Sequence, residues 1–276
     1  MIYLIHVGIS LLLLTPNVSA WSKVYHNAVV KDAMTQLTPK ASAKVYQILG
    51  DQPWQYGSWA DSIRRTDQTY NKWHVIPAAD VPLSCENRSN LKCGMIITTD
   101  VLKAKRQDMP MDVALKLLIH MVADAHQPLH VKYKPHKRFH DIRCFVTFDR
   151  QHKKVRTNMH YYMDSDAAYV RGYGVDDYAV MIAESRSHMQ TKSSLDVQDW
   201  LEESGEYFLQ IMPELVEGHV PSHCATGKKW VEPKHLSESD KAWLRQVSVA
   251  QLAKASSRLA QLLNHIFDPE GSLEER

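Results

Sequence analysis

Apolar residues recur along this chain mainly at three- and four-residue intervals, and runs that alternate apolar with polar are few. The element this spacing predicts is the amphipathic helix. Over residues 22–37, Val24, Ala28, Val29, Ala33 and Leu37 form one stripe, and shorter helices are expected over 40–49 and 54–66. The clearest helix is 111–126, where Val113, Leu117, Leu118, Met121 and Val122 share a face that Leu115 and Ile119 widen. Gln127-Pro128 closes it, because proline disfavours helical conformation in the residue before it. Further helices are predicted at 158–170, 176–188, 196–216 and 237–267. From Asn71 to about Thr99, with Pro77, Pro82 and two cysteines, the expectation is an irregular surface excursion. Residues 143–149 and 153–157 predict a small hairpin around Asp149-Arg150-Gln151-His152. The predicted fold is therefore mostly α, one multi-helix domain with a small β-hairpin and no internal repeat.

A length of 276 residues is ample for a large core, and 44% hydrophobic with 23% charged residues is ordinary for a globular protein. A net charge of +2 provides no global field that would mark a nucleic-acid or membrane binder. The first twenty residues read as a signal peptide: MIYLIHVGISLLLLT is apolar and short, and PNVSA offers a cleavage site before Trp21. An uncleaved anchor is the competing reading, since the segment lacks Lys and Arg ahead of its apolar run. No later stretch is apolar enough to span a bilayer. Export, to the periplasm or the outside, would place Cys85, Cys93, Cys144 and Cys224 in an oxidising compartment, where disulfides form. Four cysteines allow three full pairings, and their spacing does not choose among them. Asn87-Arg88-Ser89 is a glycosylation sequon if the host is a eukaryote.

Histidine is the unusual count, at 15. The run HMVADAHQPLH sets His120 and Asp124 four residues apart, on one helical face, and brings His130 just past the helix-ending proline. NMHYYMD repeats the spacing with His160 and Asp164. Upstream stand Asp61 in GSWADSIRR, His74 in NKWHVI, and His26 five residues after Trp21. Imidazoles with carboxylates suit a borderline cation such as zinc. Cleavage before Trp21 would add a free amine, which loses its proton to a metal and chelates together with its own carbonyl. One histidine–carboxylate pair is more often a core or surface feature than a site. Two pairs with the flanking ligand types are far harder to dismiss.

The set W-x4-H, WADxxR, WH, HxxxDxHQPLH and NxHxxxD, spanning residues 21–164, resembles the S1/P1 nuclease family. The resemblance implies a mostly helical fold of the phospholipase C/P1 nuclease type, three zinc ions per chain, a monomer, and hydrolysis of single-stranded nucleic acid and 3′-nucleotides. It implies one zinc on Asp61, His74, His120 and Asp124. A second would sit on the Trp21 amine and carbonyl, His26 and Asp124, and a third on His130, His160 and Asp164. Arg64 matches the family's active-site arginine, and Asp61, as a ligand to one metal, could also hydrogen-bond and aim the attacking hydroxide. Both are the expected catalytic side chains, cleaving the P–O3′ bond to leave 5′-phosphates. The family's disulfide favours Cys85–Cys224 and leaves Cys93 and Cys144 open. His126, inside the HQPLH run, is no zinc ligand by this resemblance and serves either as support for one or as packing.

Two departures concern base recognition. Where the family commonly has an aromatic residue after the WH histidine, this chain has Val75, which cannot stack, and no GGN segment follows HQPLH. Arg64, Val75 and Tyr161 are the candidate substrate contacts. The run after His130 holds Lys132, Lys134, Lys137, Arg138 and Arg143 with Tyr133 and Phe139 between them. It suits a single-stranded backbone, or is a solvated loop. A zinc-dependent phospholipase C is the rival enzyme, disfavoured by the short Trp-to-His spacing and by Asp164 where that enzyme has glutamate. A catalytically silent zinc-binding protein is the other alternative, disfavoured by retention of Asp61 and Arg64.

Overall fold

The computed structural model describes residues 21–64, 66–77, 85, 90–132, 142–189, 194–216, 219–226 and 229–271. The signal-peptide segment, the Asn87 sequon and the run Tyr133–Phe139 lie outside the described residues. The chain is mostly helical, as its periodicity predicts. Helices α1 (Lys23–Met34), α2 (Pro39–Leu49) and α3 (Trp59–Ile63) open it, followed by α4 (Leu91–Leu102) and α5 (Met111–Ala125). A short β1 (Ile76–Pro77) precedes α4, and β2 (Val131–Lys132) follows α5. The strands β3 (Ile142–Arg150) and β4 (Lys153–Asn158) lead into α6 (Met159–Tyr161) and a π-helical turn over Tyr162–Asp166. Then come α7 (Val175–Ser187), α8 (Val197–Ile211), α9 (Pro213–Val216), β5 (Cys224–Thr226), β6 (Lys234–His235) and the long α10 (Glu238–Phe267).

Helix α5 is the axis. Leu115, Leu118, Met121 and Val122 are at most 1% exposed, and the helix is apolar on nearly every side because α1, α4, α8 and α10 surround it. Helix α10, 30 residues long, begins with a capping box: the Asp240 N–H donates to Ser237 Oγ while the Ser237 N–H donates to Asp240 Oδ2. Its Leu252, Leu259 and Leu263 close the main core. A second, smaller core of Val146, Phe148, Met163, Phe208 and Val247 lies beneath a mixed sheet built on β3. That strand pairs antiparallel with β4 and β5 and parallel with β6. Among the described residues no helix is long and apolar enough to cross a membrane.

Four expectations are revised. Residues 91–102 are helical, within a stretch expected to be irregular up to Thr99. The Asn90 side chain accepts from the Cys93 N–H at 3.0 Å and starts α4, whose Leu91, Met95 and Leu102 are buried. The helix presses on its neighbours through Gly94, where a Cβ would lie 2.6 Å from Met121 Sδ and 2.7 Å from the Trp73 ring. Residues 54–66 divide at Gly57-Ser58 into a 3-10 turn (Pro53–Tyr56) and α3. Helix 196–216 breaks at Met212 ahead of Pro213. Finally, Cys85 does not pair with Cys224. The disulfides are Cys85–Cys93 and Cys144–Cys224. Cys144 and Cys224 are direct cross-strand partners on β3 and β5, with Cα atoms 3.9 Å apart. Cys93, in the first turn of α4, meets Cys85 just ahead of that helix, Cα to Cα 5.1 Å.

A non-reducing peptide map tests the pairing. Digestion should yield one linked pair holding Cys85 with Cys93 and another holding Cys144 with Cys224. A Cys85–Cys224 peptide would contradict the structure.

Candidate metal centre

Two side chains one turn apart near the end of α5, His120 and Asp124, are the seat of the site, and both are fully buried. Around them the fold delivers Asp61 from α3, His74 from the 3-10 turn Asn71–His74, and His26 from α1. Asp124 faces two ways. Its Oδ2 lies 3.0 Å from both His74 Nδ1 and His120 Nε2. Its Oδ1 lies 3.5 Å from His26 Nε2 and 3.2 Å from His130 Nδ1.

The first group closes on itself. His74 Nδ1 and His120 Nε2 are 2.9 Å apart, and Asp61 Oδ1 is 3.7 Å from the former and 3.9 Å from the latter. Four donors bonded tetrahedrally to zinc at its usual lengths would be about 3.3–3.4 Å from one another. The observed separations, 2.9–3.9 Å, scatter around that value. His26 provides a second observation: neither of its ring nitrogens makes a hydrogen bond, although the ring is fully buried and stacked on His120 at 4.1 Å. A buried, unsatisfied nitrogen costs about 1–3 kcal/mol, which coordination would relieve. The third group is His130 from the turn Pro128–His130, His160 on α6 and Asp164 on the π turn. His130 Nε2 is 3.6 Å from Asp164 Oδ1, and His160 Nε2 is 3.4 Å from Asp164 Oδ2. Three groups therefore offer donors for a divalent metal: Asp61, His74 and His120; His26, His120 and Asp124, sharing His120 with the first; and His130, His160 and Asp164. A further cluster, Cys144, His223 and Cys224, does not, because its two sulfurs are bonded to each other.

Trp21 is wholly buried at the head of α1. The Ser22 N–H donates to the Asp164 carbonyl at 2.8 Å and Tyr25 OH to the Ser165 carbonyl at 3.0 Å, so the start of α1 is tied to the π turn. Arg64 stands 3.6 Å from Asp61 Oδ1 and is 34% exposed; His160 is 28% exposed. These two side chains reach solvent beside an otherwise buried set. Val75 and Tyr161 are half-buried, each adjacent in sequence to a ligand-type histidine.

Several supporting residues carry no motif of their own. His120 Nδ1 donates to the Gly57 carbonyl at 2.8 Å, which turns Nε2 toward Asp124. Gly57 must be glycine, since a Cβ would sit 2.6 Å from the His26 carbonyl oxygen. Gln127, fully buried, donates to Asp164 Oδ1 at 2.6 Å. His126 serves packing and the helix end: Nδ1 donates to the Val122 carbonyl at 2.7 Å and Nε2 meets Arg258 at 2.9 Å. Burial, with Arg258 beside it, depresses His126 to about 3. Ser204 and Gln251 donate to the Ala125 and His126 carbonyls, completing the cap of α5. The parallel pairing of β1 with β2, Ile76 to Val131, holds the segment after His74 against the segment after His130.

Burial lowers His26 and His74, so both rings are neutral. It opposes charge on His120 and His130 as well, but there the Asp124 carboxylate prevails, raising them to about 9 and about 10. Burial would raise Asp124; the imidazoles His120 and His130 instead hold it well below the carboxylate range.

The sequence profile of the S1/P1 nuclease family matches residues 21–268, and the chain belongs to that family. It is therefore a nuclease by descent, of a class that hydrolyses phosphodiester bonds. It is 25% identical to Endonuclease 2 of Arabidopsis thaliana over 289 aligned positions, 95% of either chain. It is also 28% identical to Nuclease S1 of Aspergillus oryzae over 126 positions, 40% of this chain and 44% of that one.

Ligation requires neutral imidazole, so metal must displace the protons that His120 and His130 carry below about 9 and about 10. Titrating zinc into metal-stripped protein at pH 7 in a pH-stat should release protons, and apparent affinity should rise with pH. Uptake without proton release would contradict these protonation states.

Proposed function

We propose that the chain is a secreted, tri-zinc phosphodiesterase that hydrolyses P–O3′ bonds of single-stranded DNA or RNA and of 3′-nucleotides, leaving 5′-phosphates on nucleic-acid products. The observation that carries this reading is Asp124, a buried carboxylate with one oxygen toward the Asp61–His74–His120 group and the other toward His26. A carboxylate so placed would help to hold a cation in each of the two groups. Zinc bound by these groups supplies Lewis acidity and lowers the pKa of a water to near neutrality.

The chain's own residues do the rest. Asp61, 10% exposed, accepts a hydrogen bond from the attacking water and aims it at phosphorus. Water oxygen forms the new P–O bond as the P–O3′ bond breaks, in line, and the proton lost by the water balances the one gained by the departing 3′ oxygen. Arg64 presents a planar, permanently charged fork to the phosphate oxygens as charge builds. His130, His160 and Asp164 form the group that faces the leaving side. Val75 offers no ring for a base, so affinity rests on the phosphate and the metals more than on base stacking, a contribution of about 1–3 kcal/mol per base where present. The Trp21 amine completes the His26 group only after residues 1–20 are removed, which couples export to activation. Residues 21–276 act as one catalytic domain without a stable protein partner.

Protein beginning at Trp21 should bind three zinc ions by elemental analysis and hydrolyse single-stranded DNA, RNA and 3′-AMP. Activity on phosphatidylcholine alone would overturn the proposal, and zinc binding without any phosphoester hydrolysis would mark a silent binding protein. Keeping one residue ahead of Trp21 should lower the zinc content by one ion per chain and reduce turnover by more than tenfold. Full zinc content and activity in that form would refute the terminal chelate.

A further inference from the structure

The sheet that covers the second core has an outer face the hydrolytic chemistry does not use. Alternation along β3 sends Cys144, Val146 and Phe148 inward and leaves Arg143 and Phe145 outward. The register pairs Phe145 with Asn158, Thr147 with Arg156 and Asp149 with Lys154, so Arg156 and Lys154 share that outer face. Arg143, Lys154 and Arg156 are all exposed. The Arg156 guanidinium lies over the Phe145 ring at 4.6 Å, and its Nη2 donates to the Val231 carbonyl at 3.2 Å. That bond brings Val231, on the connection to β6, to the face; Trp230 and Lys229 precede it directly in the chain and are exposed. Trp230 is 69% exposed, the most exposed of the large hydrophobic side chains among the described residues. The acids nearby are Asp149 and Glu232.

We infer that this face, Arg143, Phe145, Lys154, Arg156, Lys229 and Trp230, is a second binding surface that holds the flanking nucleotides of a single-stranded substrate. The inference rests on the nuclease reading above and extends it from the scissile phosphate to the strand. An exposed indole next to Lys229 in sequence, with Arg143, Lys154 and Arg156 on the sheet face, offers a base a π-face and the backbone its counter-charges, the combination that binds single strands without reading sequence. Position supports it as strongly as composition. Strand β4 runs directly into α6, so Arg156 is four residues from the ligand-type His160. The extended chain bounds their Cα separation at about 14 Å, a span that a few nucleotides of single strand cover. A strand whose reacting phosphate lies at the metal centre is therefore within reach of β4. The surface also compensates for Val75, since grip on neighbouring nucleotides replaces grip on the base at the cut.

The test uses the mature protein with Trp230→Ala and Lys154→Glu, singly and together; both positions are exposed, so folding is not at stake. The ratio of kcat/KM on an oligonucleotide of about twenty nucleotides to kcat/KM on a 3′-nucleotide should fall about tenfold in the double variant, within the range set by loss of one stacking contact. Anisotropy of a fluorescent phosphorothioate strand of the same length should report a matching rise in Kd. The salt dependence of log Kd should lose about 0.7 in slope with Lys154→Glu. A ratio and a Kd within twofold of wild type would overturn the inference, as would loss of binding to anionic vesicles with strand binding intact. If the wild-type protein hydrolyses no phosphoester, the functional reading fails, and the anisotropy still decides whether the face binds the strand.

Discussion

The site depends on one buried negative charge. Asp124 is fully inaccessible, and the partners within ion-pairing distance are four imidazoles, His26, His74, His120 and His130. It also sits in the last turn of α5, where the helix dipole disfavours an anion. Holding a carboxylate there is costly unless cations compensate it. In the metal-free protein, protonation of His120 and His130, which the Asp124 carboxylate favours, would do so. Divalent metals would do so with far greater charge, and the same donor atoms are already turned toward each other.

Such an arrangement works only if α5 ends rigidly. Buried helix termini leave carbonyls unpaired, and here the last ones are taken by His126 itself, by Ser204 from α8 and by Gln251 from α10. Arg258 from α10 then closes on His126 and reaches Glu203 on α8. The polar groups packed behind the site therefore belong to the helices of the C-terminal third, which contributes no ligand. That third of the chain is legible as helix and silent as motif, because a cap made across helices has no fixed spacing in sequence.

The same distinction separates the residues that sequence spacing aligns from those it does not. His120 with Asp124, and His160 with Asp164, stand four residues apart, and local geometry suffices to align them. His26, Asp61 and His74 lie on separate elements, and only the accumulated resemblance assigns them. Gly57 and Gln127 orient ligands through single long-range hydrogen bonds, so nothing in their neighbourhoods marks them, although Gln127 lies inside the most recognisable run. Helix α4 was legible in principle: Asn90 is a good N-cap, and Leu91, Met95 and Leu102 recur at helical intervals. The prolines and cysteines upstream of it mask where it starts. The disulfides required the register of β3 against β5, a tertiary fact that cysteine spacing does not contain.

Metal site and recognition surface follow different constraints, and this chain separates them. A metal ligand must place one atom within a few tenths of an ångström, so a replacement in such a set would weaken its site. Base contacts contribute about 1–3 kcal/mol each and are interchangeable in position. A family member can therefore lose a stacking ring at Val75 and retain its chemistry, provided that affinity is recovered elsewhere along the strand. The outer face of β3 and β4 is suited to that role because its geometry is fixed for another reason. Its inner face packs the second core, the Cys144–Cys224 disulfide pins one end, and the turn into α6 must deliver His160 and Asp164. Rigidity needed for ligand placement on one side of the sheet would thus preorganise the solvent side for a strand bound there.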